Sequence, residues 1–317
     1  MFVVGGESLI DLVSDPRGAD GVIRMHAHQG GSPYNCAIAL SKLGNATGYL
    51  CPISKDGFGS YLLEPLEAAG VTTLLAERTS APTTLAVVTL DAQGKAQYEF
   101  YRGADRALEA KAGIAALPEA VTLYQIGGFC PIEPEDAAVW AEVVAAAKTR
   151  GAVISFDPNV RPSLVSDPDG YRERLSRFLD LANIIKVSEE DLAWLDPDLD
   201  LDAHGAKLLD RPACGLVVIT RGEQGSIAYT RGGKATADIF SPPVFGDTVG
   251  AGDSLMAGIL TWLADQSVLA PAQLETLGPD QLARMLRFGA VVAGLNCGHK
   301  GCVPPTRGEV DSVLRQD

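Results

Sequence analysis

The chain has 317 residues, room for one large α/β domain or two average ones. Hydrophobic residues make up 46% and charged residues 21%, which excludes a disordered or fibrous chain. With 26 Lys and Arg against 40 Asp and Glu, the net charge is −14. That balance repels a phosphate backbone and an anionic lipid surface, so neither nucleic acid nor membrane is expected as a partner.

The opening Met1-Phe2-Val3-Val4-Gly5 has no basic stretch leading into an apolar segment. No secretory signal is read there, and a cytoplasmic location is expected. The most apolar stretches, 255–264 and 288–295, fall well short of the ~20 residues that a membrane span needs. Six cysteines, none in a C-x-x-C pair, read as free thiols.

In chain order, short β-branched runs predict strands over 2–4, 48–52, 121–126, 153–156, 184–187 and 216–219. Helical patterns lie over 33–43, 59–69, 134–149, 170–180, 189–195, 252–263 and 279–296. The alternation predicts right-handed crossovers and a three-layer α/β sandwich, a mostly parallel sheet with helices on both faces. Ser32 is expected to cap a helix that has Pro33 at its first position, and Gly151 to follow the end of another. Ser188 with Asp191 reads as a capping box.

Two segments break the rhythm. Residues 12–29 and 83–102 predict antiparallel ribbons, the second turning at Asp91-Ala92-Gln93-Gly94. Both follow early strands, where ligand-side loops emerge, and read as a small β lid over a pocket or as surface hairpins. No linker or repeat divides the chain, so one domain over 1–317 with the lid inserted is expected.

A P-loop, a G-x-G-x-x-G fingerprint, H-E-x-x-H and G-x-S-x-G are all missing from the sequence. His26 and His28, two apart in a ribbon, read as surface residues rather than zinc ligands. The strongest local signal is Asp247-Thr248-Val249-Gly250-Ala251-Gly252-Asp253-Ser254, ahead of an apolar helix. Small residues there leave backbone N–H groups open at the positive end of a helix dipole, a cradle for an anion. Asp253 stands at its lip, either as a simple helix-capping residue or as a base for a hydroxyl that attacks a phosphoryl group.

A second signal is Gly30-Gly31-Ser32-Pro33-Tyr34-Asn35. It is either an ordinary loop or a hinge that aims Asn35 at the same cleft. Glu7 and Asp11 follow the first strand, where an ionised carboxylate can accept sugar hydroxyls.

These motifs, in this order, resemble those of the ribokinase-like (PfkB) carbohydrate kinase family. The resemblance also takes in Asp56-Gly57-Phe58-Gly59, Asp157-Pro158-Asn159-Val160-Arg161, Thr220-Arg221-Gly222 and Gly301-Cys302-Val303-Pro304-Pro305-Thr306. It implies an ATP-dependent sugar kinase with Asp253 as base and Gly250, Ala251 and Gly252 holding the transferred phosphate. Asp11, Gly30, Gly31 and Asn35 would meet the sugar. Asn159, Ser188, Thr220, Gly222, Gly225 and Asn296 fall on the nucleotide side. Magnesium would bridge the ATP phosphates. Potassium would sit beside the cradle, near Asp247 and Val249.

The sequence departs from the family's N-x-x-E, with Ser188 and Asp191 in its place, so Asp191 would reach magnesium through water. Residues 6–12 and 157–162, with Lys186-Val187-Ser188, are most similar to bacterial fructokinases. D-fructose phosphorylated on its 6-hydroxyl is the expected reaction. The alternative is 2-keto-3-deoxygluconate, whose carboxylate Arg102 or Arg161 would grip; a sugar-binding relative without turnover is more remote. Pairing of lid ribbons between subunits would make a homodimer.

Overall fold

The computed structural model describes residues 1–15, 21–90 and 96–316. Its first seven strands are β1 (Phe2–Gly5), β2 (Leu9–Ser14), β3 (Met25–Gly30), β4 (Thr47–Leu50), β5 (Thr72–Thr73), β6 (Leu85–Leu90) and β7 (Ala96–Tyr101). Then come β8 (Leu123–Gly127), β9 (Val153–Asp157), β10 (Ile184–Ser188), β11 (Leu216–Thr220), β12 (Ser226–Thr230) and β13 (Gly233–Ala237). The first six helices are α1 (Ser32–Lys42), α2 (Gly57–Ala68), α3 (Ala110–Ala116), α4 (Pro134–Thr149), α5 (Pro168–Leu181) and α6 (Glu189–Leu195). The rest are α7 (Leu201–Leu209), α8 (Ala251–Asp265), α9 (Pro271–Leu274), α10 (Pro279–Asn296) and α11 (Arg307–Leu314).

The large sheet runs β13-β12-β11-β10-β9-β8-β1-β4-β5. It is parallel from β11 to β5 and antiparallel only at β12 and β13. Its central strands are apolar on both sides because helices cover both faces. On one face Val4, Leu123, Ile184 and Val218 pack with α1, α8 and α10; on the other Ile126, Ile154, Ile185 and Val217 pack with α4 and α5. This is the expected three-layer sandwich.

The second sheet, β3-β2-β6-β7, is the expected lid. Both ribbons are antiparallel, and β2 joins β6 in parallel. The first ribbon begins earlier than its composition suggested, at Leu9, so Asp11 lies within a strand rather than a loop. The predicted turn at 91–94 lies outside the described residues.

Helices α4, α6 and α10 keep their expected bounds, since each has a clear start signal. The capping box of Ser188 and Asp191 is formed, and Gly151 follows α4 at φ +87°. Strands β5, β12 and β13 and helices α3, α7, α9 and α11 lie outside the expected elements. β13 alternates half-buried and exposed residues without large apolar ones, which leaves it little pattern to read. The six cysteines are free, as expected. No helix among the described residues is long and apolar enough to cross a membrane.

Helix α8 is held in place by α10. A Cβ on Gly258 would lie 2.9 Å from the Gly289 Cα and 3.0 Å from Val292 Cγ2, so the two helices meet almost backbone to backbone. Gly258→Ala is expected to cost about 1–3 kcal/mol by overpacking, read by urea unfolding; an unchanged midpoint and slope would contradict this contact.

Candidate active site

The loop before α8 turns through Gly250 at φ +73°, the αL conformation that glycine adopts without strain. A side chain there would also collide with Cys302, whose Sγ lies 2.3 Å from the place of a Cβ. The Ala251 N–H turns back to the Thr248 carbonyl at 3.1 Å, so it is not a free donor as expected. The N–H groups of Gly252 and Asp253, also in the first turn, have no backbone acceptor. They point an open, positive helix end at whatever occupies the cradle.

Asp253 is 8% exposed. Ser32 Oγ donates to its Oδ1 at 2.6 Å and Asn35 Nδ2 to its Oδ2 at 2.9 Å. Burial pushes the carboxyl above the ordinary 3.8, against the pull of those two hydrogen bonds and of Lys186 and Arg161. Ser32 is therefore not the helix cap. Gly31, at φ +112°, is the residue ahead of α1, and Ser32 stands on the first turn with its hydroxyl spent on Asp253.

Asp253 opens into a cavity of about 800 Å³ between the large sheet and the lid. Glu7, Asp11, Gly31, Ser32, Asn35, Asn159 and Arg161 share its walls, and the lid adds Val13, His28, Val88, Tyr98 and Phe100. Asp11 faces His28 across the β2–β3 ribbon. Its carboxylate lies over Gly30, where a Cβ would stand 2.3 Å from Oδ2, which explains a glycine at that position. Burial raises the Asp11 carboxyl to about 6, with His28 and Arg161 pulling the other way.

Several expected site residues turn out to be braces. Arg102 is not in the cavity wall. It lies 2.7 Å from Asp105 through Nε and 2.9 Å from Asp136 through Nη2, with its guanidinium over the Phe129 ring. Burial alone would lower its pKa, but Asp105 and Asp136 outweigh that and hold it above the usual value. Arg161 does line the cavity, steadied by the Asn159 side chain at 2.7 Å.

Asp191 spends Oδ1 on the Val160 N–H at 2.9 Å and Oδ2 on the Ser188 N–H at 3.1 Å, which fits the capping role better than a metal ligand. Asn296 is fully buried rather than open to a nucleotide. Its amide bridges the Val249 carbonyl at 2.7 Å and the Val303 N–H at 2.9 Å, tying the cradle loop to the C-terminal segment. Asp247 makes a parallel tie, accepting from Val249 N–H at 2.9 Å and Gly301 N–H at 2.8 Å. Thr220 ends β11, and Gly222 and Gly225 follow it in the next turn, with open space around Gly222.

Sequence reasoning missed Ser32 as a partner of Asp253 and His28 as a cavity residue. The alternation of the first ribbon carried the second signal, since pairing Leu9 with Gly30 places His28 opposite Asp11. It also missed the buried pair Lys186–Asp157, 2.8 Å apart, although a lysine inside the apolar run Ile184-Ile185-Lys186-Val187 is itself a signal.

Fold and site together define a phosphotransferase that acts on a sugar hydroxyl. The chain belongs to the pfkB family of carbohydrate kinases, whose model matches residues 1–307. It is 34% identical over 284 residues to a fructokinase of Rhizobium leguminosarum bv. trifolii, covering 89% of this chain and 85% of the relative. A Klebsiella pneumoniae fructokinase is 32% identical, with 87% of each chain covered. Among solved structures, fructokinase with bound ATP from Xylella fastidiosa superposes with a TM-score of 0.87 at 28% identity, covering 99% of this chain and 98% of that one.

Glu7 offers a test of the cavity's electrostatics. Its carboxyl is 4% exposed and accepts the Phe129 N–H at 3.0 Å. Burial raises it from 4.5 to about 7, against that hydrogen bond. Between those values the folded chain keeps a proton that the unfolded chain has released. Its contribution to stability is therefore full below pH 4.5 and is lost as pH rises through about 7. Denaturation from pH 4.5 to 8 is expected to show this fall, and Glu7→Gln to remove roughly 3 kcal/mol of it; an identical slope in both proteins would contradict the buried, proton-holding carboxyl.

Proposed function

We propose that this sugar kinase is an ATP-dependent fructokinase that phosphorylates the 6-hydroxyl of D-fructose. The observation that carries the reading is Asp253, held between Ser32 and Asn35 at the lip of a helix-end cradle and facing the lid-covered cavity. An acceptor hydroxyl beside Asp253 gives up its proton to the carboxylate as its oxygen attacks the phosphoryl group. The Gly252 and Asp253 N–H groups and the α8 dipole offset the charge that develops there. Asp11 and Asn35 fix the sugar through its other hydroxyls, and the lid excludes water that would otherwise take the phosphoryl group.

The cradle suits a phosphate, since the Gly252 and Asp253 N–H groups have no backbone acceptor and Gly252 leaves the Lys186 ammonium uncovered, 3.1 Å from where a Cβ would stand. ATP would supply the phosphoryl group, and magnesium, when bound, would spread the charge of its phosphates. Thr220, Gly222 and Gly225 would hold the nucleotide, with Asn296 and Asp247 bracing the cradle loop. Potassium beside Asp247 and Val249 belongs to the same reading, as do a cytoplasmic location, one domain over 1–317 and a homodimer paired through the lid. Fructokinases of similar sequence support fructose as the acceptor. Arg161 in the cavity wall supports 2-keto-3-deoxygluconate as the second reading, since its guanidinium suits a carboxylate.

The test is coupled ADP release with ATP and magnesium over fructose, 2-keto-3-deoxygluconate, ribose, tagatose, fructose phosphates and nucleosides. The highest kcat/KM is expected for fructose. A maximum for the keto-acid would replace fructose and make Arg161 its carboxylate ligand. No turnover on any of them, with the protein folded, would overturn the kinase reading.

A further inference from the structure

Lys186 lies in the middle of β10 among the buried apolar Ile184, Ile185 and Val187, and is itself only 5% exposed. Its ammonium donates to Asp157 Oδ2 at 2.8 Å, and Asp157 is 2% exposed. An isolated bridge of this kind is a poor device for stability, because removing both charges from water costs about as much as their attraction returns. The pair is also incomplete. An ammonium has three donors, and the Asp157 bond takes one. Asp157 Oδ1 is buried with no hydrogen-bond partner.

The position of Nζ gives the remaining donors a use. A Cβ built on Gly252 would stand 3.1 Å from it, so the ammonium lies directly against the backbone of the cradle, where a side chain at 252 would crowd it. Asp253, Asp157 and Asp191 all act on the same charge. Burial alone would lower the lysine's pKa, but Asp157, Asp191 and Asp253 together outweigh it, so the group stays cationic.

We propose that Lys186 is a catalytic residue of this kinase: its ammonium is the cationic floor of the cradle and contacts the transferring phosphoryl group, with Asp157 as the positioning residue that aims it. The proposal rests on the phosphoryl-transfer reading above. In the step, the bond from the sugar oxygen to the γ-phosphorus forms as the bond from that phosphorus to the β–γ bridging oxygen breaks. The hydroxyl proton goes to Asp253, and ADP leaves with the bridging electron pair. Lys186 keeps its proton throughout and stabilises charge on the phosphoryl oxygens, where a preorganised cation in a dry site acts most strongly.

The experiment compares wild type with Lys186→Met and with Lys186→Met/Asp157→Asn, the second removing the orphaned carboxylate that would unfold the first. Each is assayed for kcat and for the KM of fructose. Binding of ADP with magnesium is measured with and without fluoroaluminate and fructose. Both variants are expected to lose about 10²–10³ in kcat. The KM of fructose and the affinity for ADP should stay within about threefold, while the tightening that fluoroaluminate brings in wild type disappears. A folded double variant with near-wild-type kcat would overturn the proposal, and so would equal losses of ADP and fluoroaluminate binding, which mark a merely structural role. Wild type inactive on every sugar would overturn the kinase reading and this proposal with it, an outcome distinct from active wild type beside active variants.

Discussion

Two hydrogen bonds, from Ser32 and Asn35 to the Asp253 carboxylate, join the N-terminal and C-terminal parts of the active site. A carboxylate at the mouth of an anion site is repelled by the ligand it serves. Fixed donors on both of its oxygens keep it aimed and partly offset the cost of burying it. The donors stand on the first turn of α1, and the acceptor stands on the first turn of α8. The two helix starts must therefore converge on one point, and much of the architecture serves that convergence. Gly31 turns the chain sharply out of the lid into α1, and close packing of Gly258 on Gly289 holds α8 against α10.

The braces around the cradle follow the same logic. Asn296 and Asp247 make four bonds to the backbone of 249, 301 and 303. They fix the loop whose N–H groups must be ready before any anion arrives, and preorganised donors of this kind lose little on reorganisation during reaction. Across the cavity the lid supplies Asp11 and His28 on one ribbon and Tyr98 and Phe100 on the other, a polar contact and an apolar cover. In a chain of net charge −14, the cations Arg161 and Lys186 that act on Asp253, with Lys300 in the cavity wall, make an anion welcome there.

Local chemistry made much of this legible. The run Gly250-Ala251-Gly252-Asp253 before an apolar helix announces an anion cradle with an acid beside it, and alternating strand and helix patterns announce the sandwich. The family likeness carried the rest of the motif set, and the family match bears it out. What stayed hidden depended on partners far apart in sequence. Ser32 looks like a cap until α8 is placed beside it, because serine ahead of proline usually fills that role. Asn296 looks like a polar residue at a helix end open to ligand, yet its burial comes from a loop that returns to cover it. Arg102 had one partner within reach in sequence, Asp105, but its second, Asp136, comes from α4. Two carboxylates share one guanidinium, which stands outside the cavity wall.

The proposed reaction rests on a buried Asp253 that takes the acceptor's proton. It is tested most directly by the pH dependence of kcat at saturating fructose, in wild type and in Asp253→Asn. Saturation removes groups that act only through sugar binding. Wild type should show an acid limb with its midpoint above the ordinary 3.8 of an aspartate, since burial raises this carboxyl. The variant should lose about 10²–10⁴ in rate and lose the limb with it. A variant that keeps both the rate and the limb would contradict Asp253 as the base.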